Sequence, residues 1–192
     1  AELLGNADAL HAVTKDAIIL SEAAKGELEP AAKALTNTLN QFQESADQSR
    51  RIINILAAGS QAGAGDIDYL SKAIEKTGTS ANLMGVSIEQ TVGTIETIAP
   101  FYSEASTAGI SFDKVLLKLK ANQIGYASGT FDLNDAIDEL RKMYGEGTSA
   151  ADIFGVEHAK MGELLVQNQA DITKFTTAVT GTNKAVEQAT IN

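Results

Sequence analysis

The chain has 192 residues, 44% of them hydrophobic and 21% charged, with a net charge of -10 and no cysteine. That length and apolar content support a domain able to bury roughly 70% of its unfolded surface, and they exclude a disordered chain. The acidic balance disfavours wrapping of a phosphate backbone, and the missing cysteines exclude disulfides and thiolate metal sites. Wholly apolar runs such as Ala17 to Leu20 are far short of the roughly 18 residues a membrane span needs. The opening Ala1-Glu2-Leu3-Leu4 has neither a Met nor a basic stretch. It therefore reads as an internal cut from a longer protein rather than a secretory signal.

With two prolines and 5% aromatic residues, the composition favours helix over sheet. Leu10, Val13, Ala17 and Leu20 form the stripe of a first helix, and Leu35, Leu39 and Phe42 that of a second, with Pro30 in its first turn. Ser45-Ala46-Asp47-Gln48 fits a capping box and predicts a third helix start; Gly59 to Gly65 predict its end. Asp66 reads as the N-cap of a helix carrying Ile67, Leu70 and Ile74, with stop signals at Gly78 and Gly85. A second capping box, Ser87-Ile88-Glu89-Gln90, opens the stripe Ile88, Val92, Ile95, Ala99. Gly109 then reads as a turn and Ser111 as the cap of a helix with Phe112, Val115, Leu116 and Leu119. Asn134 is the expected cap for Leu133, Ile137, Leu140 and Tyr144, and Ser149 the expected cap of a further helix beyond Gly145 and Gly147. Gly155 and Gly181 are the last stops.

The pattern predicts an all-α fold, a multi-helix bundle of about eight to ten short helices with Gly-rich turns. Gly125-Tyr126-Ala127-Ser128-Gly129 is the best hinge. It would divide a larger N-terminal bundle, residues 1–124, from a smaller C-terminal subdomain, residues 130–192; one continuous domain fits the same pattern. The end segments 1–25 and 170–192 are the ones expected to dock on neighbouring chain, because amphipathic terminal helices do so readily.

No constellation carries chemistry. His11 and His158 are far apart in sequence and neither lies in an H-E-x-x-H pattern. Asp66 and Asp68 begin like a calcium loop but lack the central Gly and terminal Glu. Gly145-Glu146-Gly147-Thr148-Ser149-Ala150 matches G-x-G-x-x-A on paper, yet it comes after a helix where a dinucleotide site needs a strand. Ser60, within Gly59-Ser60-Gln61-Ala62-Gly63, has the wrong register for a nucleophile elbow. Glu44-Ser45 resembles the general-acid signature of helical peptidoglycan hydrolases, but the downstream motif of that family and sugar-stacking tryptophans are missing. The reading is therefore of a non-enzymatic chain with no cofactor and no metal, and its alternatives are a hydrolase-like module using Glu44 or a generic bacterial helical scaffold.

Several stretches taken in order carry a family likeness. They are Ala34-Leu35-Thr36-Asn37-Thr38-Leu39, Asp68-Tyr69-Leu70-Ser71-Lys72-Ala73-Ile74, and Ala81-Asn82-Leu83-Met84-Gly85-Val86-Ser87-Ile88-Glu89-Gln90-Thr91. Ala108-Gly109 comes next, then Ile153-Phe154-Gly155 and Leu164-Leu165. Together they resemble the core region of the phage tail tape-measure protein family over residues 30–190, with Gly85, Ser87, Glu89, Gly109, Phe154 and Gly155 as its motif residues. The family's glycine loop is replaced here by Pro100 to Gly109. The resemblance implies a helical structural part of a phage or prophage tail, located in the virion and in host cytoplasm during assembly. It implies tail-tube protein, tail assembly chaperones and other tape-measure copies, including a homo-oligomer, as partners.

Overall fold

Apolar residues three and four positions apart turn one face of most of the helices inward. The computed structural model describes residues 7–187. In chain order the helices are α1 (Ala7–Ala23), α2 (Leu28–Gln41), α3 (Ser49–Ala62), α4 (Ile67–Met84) and α5 (Ile88–Ile98). They continue as α6 (Ala105–Ala121), α7 (Leu133–Gly145), α8 (Ala150–Phe154), α9 (Ala159–Gln167) and α10 (Gln169–Val179), with single 3-10 turns at Ala46–Gln48 and Ala99–Phe101. No strand occurs among the described residues. The fold is all-α.

The expected stripes are largely the buried ones. Leu35, Leu39 and Phe42, then Ile67, Leu70 and Ile74, then Phe112, Val115, Leu116 and Leu119 are all buried. In α1 the stripe begins one turn late, since Leu10 is exposed while Val13, Ala17 and Leu20 are covered. α4 packs between α2 and α6, α1 covers α2 and α3, and α8 and α9 lie together with α7 beside α9. The central element is α5: every residue from Thr91 to Ile98 is buried. α10 returns across the molecule to cover α5 and α3. One cluster of buried apolar residues runs from Val13 to Val186, on both sides of Gly125–Gly129. In that segment the Gly125 amide donates to Glu139 Oε2 at 2.9 Å, pinning the turn to α7. Of the end segments expected to dock elsewhere, α1 and α10 pack on their own chain; residues 1–6 and 188–192 lie outside the described residues.

Four local expectations are corrected. Ser45 precedes a 3-10 turn and makes no cap bond; its hydroxyl donates to the Asp47 carboxylate instead. Ser111 lies inside α6, which starts at Ala105. Asp132, not Asn134, caps α7, accepting from the amides of Asn134 and Asp135 at 2.8 and 3.0 Å. Gly78 and Gly109 are not stops but helix-interior residues at crossings. A methyl at Gly109 would stand 2.9 Å from Lys76 Cβ and 3.0 Å from the Ala73 carbonyl carbon, so only glycine lets α6 lie this close to α4.

Candidate functional site

Three of the six motif residues meet in one turn. Gly85 ends α4 in the left-handed conformation (φ 81°), with its own amide and that of Val86 closing on Asn82 and Ala81 carbonyls. Ser87 then caps α5: its hydroxyl accepts from the Gln90 amide at 3.1 Å, while Gln90 Oε1 accepts from the Ser87 amide at 3.3 Å. Glu89 sits in the first turn of α5 and accepts from Arg51 at 2.9 Å. The other three lie apart. Gly109 is the α4–α6 crossing. Phe154 is buried at the end of α8 against Gly162 of α9, and Gly155 makes the turn between those helices at φ 79°. All six therefore hold helix ends or crossings.

The residues weighed for catalysis are scattered. Glu44 is half-exposed and paired with Arg51 at 3.2 Å, on an open surface rather than in the apolar cleft a glycosidase acid requires. The Ser60 hydroxyl donates to the Ala57 carbonyl at 3.1 Å inside α3. Asp66 caps α4, accepting from the Tyr69 amide at 2.7 Å. Gly145 to Ala150 join two helices, with Ser149 and Asp152 forming a capping box. His11 is exposed at the surface of α1 and His158 precedes α9. Among the described residues no three His, Asp or Glu side chains gather as metal ligands, and no helix is long and apolar enough to cross a membrane.

An open cleft of about 390 Å³ lies between Arg50, Arg51, Asn54, Glu89 and the turn Gly181–Asn183. Its arginines are already engaged: Arg50 faces Asp16 at 3.7 Å, and Arg51 bridges Glu44 and Glu89. Two cations against three carboxylates leave the cleft without the positive potential that would draw an anion.

The apolar stripes gave no warning of Glu96. It is 1% exposed, in the last turn of α5, and its Oε2 accepts from the Gly65 amide at 2.8 Å. Its Oε1 is buried with no hydrogen-bond partner among the described residues. The α3–α4 connection wraps the carboxyl with glycines: a methyl at Gly63 would overlap it, and one at Gly65 would come within 3.3 Å of both oxygens. Burial pushes the Glu96 carboxyl up to about 8, opposed by the Gly65 and Ala64 amides and reinforced by Asp66. Nearby, the Tyr69 hydroxyl donates to the Tyr102 carbonyl at 2.7 Å, and burial pushes that phenol up to about 12. The signal was present in Thr91-Val92-Gly93-Thr94-Ile95-Glu96-Thr97-Ile98. A stretch with no charged residue besides Glu96 is covered on all sides, and that carboxyl is buried with it. A raised carboxyl is what a general acid needs, but at 1% exposure no substrate can touch this one.

Residues 4–181 match the family model described as phage-related minor tail protein. No curated protein and no solved structure matches the chain.

Proposed function

We propose that this chain, which belongs to the phage-related minor tail protein family, is a folded, non-catalytic module of a tail tape-measure protein. Family membership gives the coarser role, that of a structural protein of a phage tail. The finer reading adds tail assembly and length determination, with tail-tube protein, tail assembly chaperones and other copies of the same protein as partners. It is supported by the order of the motifs along the chain and by the structural work each motif residue does.

The observation that carries the module reading is helix length. The longest helix among the described residues, α4, has 18 residues, about 27 Å at 1.5 Å per residue. Every helix folds back on its neighbours. Drawn out as a single helix the chain would span about 290 Å, whereas a compact domain of this size has a radius of gyration of about 16 Å. A ruler measures by extension, so this segment assists assembly or docking and the gauging falls to other parts of the protein. In-frame deletion of residues 30–190 in the parent phage tests this. The expected result is absent, malformed or non-infectious tails. Infectious tails shortened by about 240 Å, the helical length of the deleted residues, would show that the segment is simply part of the ruler.

A further inference from the structure

We propose that Glu96 is a proton-operated latch, which as the neutral acid holds the Gly63–Gly65 joint closed over α5 and on ionising releases it. The geometry is that of a fitted clasp. One carboxyl oxygen takes the Gly65 amide at 2.8 Å, the three glycines 59, 63 and 65 close around the side chain without leaving room for a methyl at Gly63, and the other oxygen is unpartnered among the described residues. A neutral carboxyl tolerates one unpaired oxygen at modest cost. A carboxylate buried there carries a full charge with too few donors, which is several-fold more costly.

Among the described residues nothing supplies Glu96 with a counter-charge. From α4 it faces Asp66, which disfavours ionisation further, and Tyr69; beyond Tyr69 lie Tyr102 and Glu104 of the α5–α6 connection. The helices α3, α6, α9 and α10, which also pack on α5, bring no charge to bear on it. The ionised group can therefore be solvated only by water, and water reaches it only if the glycine-rich joint between α3 and α4 lifts. That joint has no side chain larger than Ala62 or Ala64 from position 62 to 65, so lifting it breaks few contacts. The device is a pH-sensitive opening between two helices that both rest on the central one.

Amide hydrogen exchange on the whole chain tests the latch. After correction for intrinsic exchange, protection of Ala64 and Gly65 is expected to fall by at least about tenfold between about pH 5.5 and 8, while amides of α2 and α6 hold theirs. In Glu96→Gln, which keeps an acceptor oxygen but cannot ionise, the same amides should show no such fall. Equal pH dependence in the two proteins, or none in the unsubstituted one, overturns the proposal. Should the variant not fold, a carbon-13 titration of the Glu96 carboxyl in the unsubstituted chain decides: a midpoint well above ordinary carboxylates supports the latch, and an ordinary or lower midpoint overturns it.

Discussion

Gly109→Ala should destabilise this protein, although the same substitution stabilises most exposed helix interiors. Alanine gains about 1 kcal/mol over glycine in a helix from backbone entropy alone. At Gly109, however, the new methyl would press on the Ala73 carbonyl group and stand 2.9 Å from Lys76 Cβ. The obstacle is mainly backbone at the buried Ala73 of α4, so α4 and α6 would have to separate, and overpacking of this kind costs about 1–3 kcal/mol or more. The net expectation is a loss of about 1–2 kcal/mol, or roughly 2–8 °C in Tm for a chain of this size. Gly145→Ala is the internal comparison, because a methyl there meets nothing within 4 Å at the end of α7; it should be neutral or raise the midpoint. Thermal and urea unfolding by circular dichroism would report both. If Gly109→Ala matched or exceeded Gly145→Ala in stability, the close crossing of α4 and α6 would be wrong.

Ser87→Ala removes the hydroxyl that accepts from Gln90 and should cost about 1 kcal/mol, whereas Ser45→Ala, which touches no helix amide, should stay within a few tenths; equal losses would contradict the assigned caps. Glu96 also predicts how stability depends on pH. Its carboxyl rises from an ordinary 4.5 to about 8 on folding, so the folded state binds the extra proton. The stabilisation is therefore complete below 4.5 and is lost as pH climbs through 8. Relative to Glu96→Gln, urea stability should drop by about 1 kcal/mol per pH unit across that window; a difference curve that is flat or rises would refute it.

Helix existence was legible in the sequence because it depends on spacing alone. Leu35, Leu39 and Phe42, or Phe112, Val115 and Leu119, announce their buried faces without knowledge of what they pack against. What glycine does was not legible. Gly85 and Gly155 read as turns and are turns, with positive φ, but Gly78 and Gly109 carry the same letter and lie at crossings, a distinction set by a partner 30 or more residues away. Capping failed for a related reason: Ser45 and Asn134 have the right chemistry, but the Ser45 hydroxyl is drawn to Asp47 and the α7 amides go to Asp132. The motif turn at Gly85, Ser87 and Glu89 could be placed from sequence because all its bonds but one are local. The Arg51 pairing that ties Glu89 to α3, and the glycine cradle of Glu96, join residues 38 and 31 positions apart, and no periodicity encodes them.

The order of the helices makes α10 decisive. From Thr91 to Ile98 α5 is buried, and one side of it is covered by α10, which crosses at Gly93 with the Thr176 amide nitrogen 2.6 Å from where a Cβ would stand. Beyond α10, the Val186 amide donates to Asn54 Oδ1 of α3 at 3.2 Å. A chain ending at Gln167 would therefore lose Ile172, Val179 and Val186 from the interior, all at most 2% exposed, and would leave Asn54 and the Gly93 side of α5 open. Burial of three such side chains contributes about 5–9 kcal/mol as an upper estimate, comparable to the whole stability of about 5–15 kcal/mol of an ordinary domain. The truncated chain should keep helical circular dichroism but lose a sharp urea transition, and its α5 amides should exchange rapidly. If it unfolded cooperatively at the midpoint of the full chain, α10 would be an appendage and the core would be complete without it.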